Sequence, residues 1–205
     1  MREAEGRTRY IIQTKFAGMS GSLLLSVQRR KELLSRYSEE FLDGCGQFEA
    51  LLSVGKEEEA ARQAGASRFL EAGRGGIFGA LWELGEAENS GMDILLPRIL
   101  FRQETIEICE YFDISPYRLL SGGCALIVSD RPEELAKELW ARRIPWAVIG
   151  WLHAGRDRVA YNGDGLRYLE PVRGDEYDRI MAPGRRARNA GTGGDYAEGK
   201  DIEGH

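Results

Sequence analysis

The spacing of apolar residues changes several times along the chain, and each change marks a candidate element. Tyr10-Ile11-Ile12-Gln13-Thr14 is a β-branched run that predicts a strand, broken by Gly18, Ser20, Gly21 and Ser22. Between Leu23 and Leu52, residues Leu24, Val27, Leu33, Leu34, Tyr37, Phe41, Leu42 and Phe48 recur at helical spacing, which predicts one or two amphipathic helices weakened at Gly44 and Gly46. Lys56 to Ala64 reads as a charged, alanine-rich helix with Glu57 to Glu59 on a solvated face, and Ala66 to Leu70 as a short buried strand. A glycine cluster then leads into Ile77 to Leu84, a helix with residues small enough to pack closely on a sheet.

Met92 to Leu96 reads as a strand, and Gln103 to Phe112 as a helix with Ile106 and Cys109 facing inward. Ser115-Pro116 opens a short helical turn before the strand Cys124 to Val128. Asp130 is placed to cap a helix running to Arg142, with Pro132 in its first turn and Leu135 and Leu139 on one face. Ala147 to Gly150 returns as a strand. Arg158 to Tyr161 and Leu166 to Leu169 flank Asn162-Gly163-Asp164-Gly165, the strongest hairpin signal in the chain. Strands and helices thus mix in an α+β order without a regular βα repeat.

Composition narrows the function classes. The 205 residues are 42% hydrophobic and 30% charged, a globular balance, with a net charge of -5. That acidic balance speaks against nucleic acid as a partner, because phosphate-backbone binding calls for a basic field. Cys45, Cys109 and Cys124 are odd in number and widely spaced, which fits reduced thiols and a cytoplasmic location, with Cys109 and Cys124 at apolar core positions. Met1 to Lys15 carries Arg2, Arg7 and Arg9 but no apolar leader segment, and no run approaches the roughly 18 apolar residues of a membrane span, so no membrane association is expected. With only His153 and His205, a histidine-rich metal site is poorly supplied, and His153 reads as a surface residue beside the Ala154-Gly155 turn. Trp82, Trp140, Trp146 and Trp151 read as core or interface area. Residues 183–205, with Arg185, Arg186 and Arg188, have almost no large apolar residues and read as a disordered tail.

The candidate chemistry lies at Gly73-Arg74-Gly75-Gly76, directly ahead of a helix. Glycines let backbone N–H groups approach an anion, the helix start offers unpaired donors, and Arg74 can add a charge-assisted contact. A second reading stays open, in which the glycines only permit tight helix-on-sheet packing. No Gly-Lys-Ser/Thr follows, so this is not a Walker loop.

Gly75-Gly76-Ile77-Phe78-Gly79-Ala80-Leu81-Trp82-Glu83-Leu84 is similar to the segment after the Asp-x-Thr-x-Gly-Gly motif of proteins related to aminoimidazole ribonucleotide (AIR) synthase. Within that superfamily it most resembles the hydrogenase maturation factor that dehydrates a carbamoyl group. Thr14 to Ser22, Ile99 to Phe112, Ser115-Pro116-Tyr117-Arg118-Leu119-Leu120-Ser121 with Gly123, Ile144 to Gly150, and Leu169-Glu170-Pro171 resemble further landmarks of the family in the same order. The resemblance covers roughly residues 10–181. It implies a sheet-and-helix sandwich like the AIR synthase C-terminal domain, partly ferredoxin-like. It also implies that complete relatives bind ATP and Mg between two halves and often dimerise.

Residues 1–22 then read as a strand and connector left from the junction to another half, 23–182 as the domain, and 183–205 as the tail. Two departures bear on chemistry. Glu71 and Gly73 stand where the family motif has Asp and Thr, and Gly122 replaces a frequent Glu or Ser. The chain ends Glu203-Gly204-His205, not in the family factor's substrate-bearing Cys. The resemblance therefore implies an ATP-dependent half that faces phosphate with Gly73 to Gly76 and metal with Glu71. Such a half is expected to be inactive until completed by an N-terminal-half protein, or to self-associate as a homodimer. A non-catalytic interaction module or truncated remnant with a structural glycine loop is the alternative.

Overall fold

The computed structural model describes residues 8–183; the expected tail, its arginine cluster, and Arg2 and Arg7 lie outside the described residues. In chain order the elements are β1 (Arg9–Thr14), α1 (Met19–Gln28), α2 (Arg30–Leu33), α3 (Glu39–Gly46), α4 (Gly55–Gln63), β2 (Arg68–Glu71), α5 (Gly76–Glu88) and β3 (Gly91–Leu95). They continue as α6 (Gln103–Phe112), β4 (Ala125–Ser129), α7 (Pro132–Ala141), β5 (Trp146–His153), β6 (Arg158–Asn162), β7 (Gly165–Tyr168) and α8 (Glu176–Met181). The architecture is α+β, as the element order predicts.

One seven-stranded sheet, ordered β2-β4-β1-β5-β3-β6-β7, organises the chain. Every neighbouring pair is antiparallel except β3 and β6. β1, read from the sequence as a strand with a connector after it, is an interior strand of this sheet. Consecutive isoleucines there serve opposite faces, as strand alternation requires. Ile11 joins Met92, Leu126 and Ile149 beneath Ile77, Leu81 and Leu84 of α5. Ile12 joins Ile127 beneath Ala60 and Ala61 of α4 and Leu135 and Leu139 of α7. A third cluster of Leu25, Leu42, Phe48, Ile108 and Phe112 packs α1, α3 and α6 together.

The far end of the sheet is less covered. Trp151, Asp93, Val159 and Tyr168 form one cross-strand row over β5, β3, β6 and β7. None of the four joins a core cluster, and Tyr168 and its neighbour Leu166 are 64% and 62% exposed. The hairpin itself follows its sequence signal. Asn162 pairs with Gly165, and Gly163 takes φ +59°, the left-handed conformation that a two-residue turn needs.

Several local expectations are corrected by packing. Ser20, Gly21 and Ser22 do not interrupt the chain but form the first turns of α1. A Cβ on Gly21 would lie 2.5 Å from Leu119 Cγ, so the small residue is what lets the helix sit against Leu119. β2 is an edge strand with Arg68 and Glu71 exposed, not a buried one. On α6 the inward positions are Thr105, Ile108 and Cys109, while Ile106 is only half-buried. The residue that caps α7 is Arg131 instead of Asp130; Pro132 and the acidic first turn still mark its start. Trp140 is 81% exposed and contributes nothing to the core.

The largest correction concerns Glu57, which is buried. Lys15, at φ +54°, sends its Nζ inward to Leu51 O (2.6 Å), Ser53 O (2.7 Å) and Glu57 Oε1 (3.0 Å). Both side chains are almost fully enclosed, so each charge depends on the other and on those carbonyls. Gln13 plays a related part beside it. Its buried amide donates to Leu100 O and accepts from Leu100 N–H, closing the gap between β1 and the segment ahead of α6 as a backbone pair would.

Candidate functional site

Gly73 to Gly76 form the turn between β2 and α5. Ala72 N–H donates to Cys124 O and Ser121 N–H to Gly73 O, which ties the turn to the start of β4. Gly75 and Gly76 both take positive φ, +78° and +68°. A side chain on Gly76 would lie 2.5 Å from Tyr117 O, so the glycine is required by close backbone packing as well as by conformation. Gly73 has open space around it, and Arg74 is exposed. The loop therefore has a buried half, Gly75 and Gly76, and an outer half, Gly73 and Arg74.

Both halves meet carboxylates from the end of the chain. Gly75 N–H donates to Asp175 Oδ2 at 2.7 Å. The other oxygen of Asp175 accepts Leu120 N–H at 3.1 Å and Tyr177 N–H at 2.8 Å, so the same side chain caps α8. Asp175 is only 5% exposed. Outside, the Arg74 guanidinium pairs with Asp178, whose hydrogen bond and charge raise the arginine's pKa further. Arg74, Gly75, Trp82, Asp175 and Asp178 line a cleft of about 200 Å³. Glu71 turns to the other side of the loop, where its Oε1 accepts Gly123 N–H at 3.1 Å.

Sequence reasoning found the donors but missed Asp175 and Asp178. Gly174-Asp175-Glu176, a glycine and an acidic residue ahead of a short helix, was the available signal. The other candidates hold no chemistry of their own. Burial pushes the thiol of Cys45 up to about 11, that of Cys124 up to about 12 and that of Cys109 higher still, so all three are core thiols. His153 Nδ1 lies 2.8 Å from Ala154 O and its Nε2 lies 3.7 Å from Asp93, with no hydroxyl nucleophile bonded to it. Among the described residues no group of His, Cys, Asp and Glu side chains could hold a metal ion. Glu71 alone does not make a Mg site. No helix in the described residues is long and apolar enough to cross a membrane.

No protein family and no curated protein matches the sequence. Solved structures do match the fold. Escherichia coli HypE, a hydrogenase maturation protein, superposes with a TM-score of 0.61 at 14% identity, over 91% of this chain and 53% of its own. The thiamine monophosphate kinase of Aquifex aeolicus matches with a TM-score of 0.56 at 16% identity, over 74% of this chain and 49% of its own. The fold is that of the AIR synthase-related proteins. Another AIR synthase-related protein, T. maritima PurL complexed with ATP, matches with a TM-score of 0.52 at 16% identity, over 83% of this chain and 26% of its own. The present chain spans about half the length of HypE and of the kinase.

Proposed function

We propose that this chain is the carboxy-terminal half of a two-part, ATP-binding AIR synthase-related protein, and that it faces nucleotide phosphate through Gly73 to Gly76 only when a separate amino-terminal half is present. The half-length match to proteins solved with ATP or the analogue AMPPCP is the observation that carries this reading. HypE, a neighbour of this fold, has been solved in a complex with HypF, which supports a partner-dependent reading. The occupied loop supports the dependence on a second half. With Gly75 N–H held by Asp175 and Arg74 held by Asp178, the isolated chain offers a phosphate little at this turn. In this reading Glu71 contributes at most one oxygen to a Mg ion that the nucleotide and the other half hold. Magnesium would supply charge neutralisation on the phosphates, while this chain positions them.

The same occupied loop favours a second reading, a non-catalytic interaction module whose glycine turn serves packing alone. Thermal unfolding with Mg and ATP separates the two. A candidate amino-terminal half, supplied as a separate chain, should raise the melting temperature in the presence of nucleotide, reflecting a stabilisation of about 2.7 kcal/mol at a hundredfold excess over Kd. That increment should vanish in the double variant Glu71→Ala, Arg74→Ala. An increment that persists in the variant moves the site elsewhere, and no increment leaves the module reading standing.

A further inference from the structure

A second group of anion donors lies beside the glycine loop, separated from it by Val172, which lines both cavities. This neighbouring cavity, of about 310 Å³, is bounded by Phe78, Arg118, Arg167, Tyr168, Glu170 and Val172. We propose that it binds a phosphate monoester of a small hydroxylated molecule, with Arg118 and Arg167 on the phosphate and Glu170 on a hydroxyl. The proposal is independent of the glycine loop and of any second half.

The two arginines differ from most others in the chain. Arg74 is paired with Asp178, and Arg158, stacked 4.1 Å from the centroid of Trp82, is also paired with Glu86. Among the described residues the Arg167 side chain enters no hydrogen bond or ion pair; its backbone belongs to the β6–β7 ladder. Its guanidinium instead rests 4.8 Å from the Phe78 centroid and 5.5 Å from that of Tyr117. Those rings stack on each other at 4.7 Å, and Phe101 meets Tyr117 edge-on at 5.2 Å, so the platform under the guanidinium is itself packed. The stack restrains the fork while leaving its N–H groups free. Arg118 follows Tyr117 in the turn that packs on Gly76. Its Nε is buried without a hydrogen-bond partner, and its one side-chain bond is a long 3.4 Å contact to Arg173 O.

The lining also selects the ligand. Two guanidinium groups suit a phosphate dianion, because charge-assisted N–H bonds to phosphate oxygens are strong. Glu170 lines the same cavity without pairing either arginine, so its carboxylate can accept from a hydroxyl on the same ligand but would repel a second phosphate. The volume fits a sugar phosphate at the small end of ligand pockets, which start at about 300 Å³.

Calorimetric titration of the isolated chain with glucose 6-phosphate and with inorganic phosphate, at ionic strength matched with NaCl, tests the site. Saturable binding is expected for both, tighter for the sugar ester. Arg118→Gln and Arg167→Gln should each weaken it at least tenfold, Glu170→Gln should remove the preference for the ester, and Arg74→Ala should change nothing. Arg167→Lys keeps the charge and stem, so a fold intact by near-UV circular dichroism with weakened binding would isolate the role of the fork. Independently of any variant, amide NMR shifts in the wild-type chain on titration should centre on Phe78, Tyr117 and Val172. Binding that is non-saturable, that survives both glutamine substitutions, or that shifts amides elsewhere overturns the proposal.

Discussion

The two sides of Val172 look alike in residue type and differ in what their donors already hold. On the glycine-loop side, a backbone N–H and an arginine converge, and carboxylates of the same chain satisfy both. On the β7 side, two arginines line one cavity and carry no carboxylate partner among the described residues. The loop is the stronger motif on paper. An anion-binding pattern reports where donors point, whereas capacity to bind depends on whether folding has already supplied an acceptor. Here the end of the chain decides the matter: Asp175 and Asp178 close one corner, and Leu169 to Val172 run past the other without closing it.

Substitutions can break or sharpen that contrast. The largest expected effect calibrates what a buried, fully partnered cation is worth. Lys15→Met leaves Glu57 enclosed and unpaired, and should cost about 4 kcal/mol in urea unfolding. Next comes the closed corner itself. Asp175→Ala strips an acceptor from Gly75 N–H, Leu120 N–H and the cap of α8 together, and should cost about 3 kcal/mol. A loss below about 1 kcal/mol would show that water replaces the carboxylate freely and that the corner is not closed by it. Smallest is Arg74→Ala, which removes an exposed ion pair and should leave the urea midpoint within error. A clear destabilisation there would make Arg74 structural and end its comparison with Arg167.

Much of the architecture was legible because it rests on local signals. The hairpin of β6 and β7, the start of α7 at Pro132 and the strand-turn-helix unit around the glycine loop follow from turn chemistry and periodicity over a few residues. What escaped depends on partners distant in sequence. Glu57 looks like its neighbours Glu58 and Glu59 until Lys15 arrives beneath it. Ser20 to Ser22 look like a break until Leu119 fills the space that small side chains leave. Trp140 has the composition of a core residue, but the apolar face of its helix, set by Leu135 and Leu139, turns it outward. At the candidate site the donors were visible as glycines and an arginine. Their acceptors were not, because Asp175 lies about a hundred residues away and acts through one turn of backbone geometry.

The interior position of β1 has a consequence for how the chain is made. This strand leaves the ribosome before the other six strands of the sheet, yet its two partners, β4 and β5, come from the last half of the sequence. During synthesis its apolar residues must wait unpaired while the helices between them emerge. The sheet can close only when the later strands come in on both flanks, a non-local event of the kind that slows folding and exposes nascent chains to mispairing.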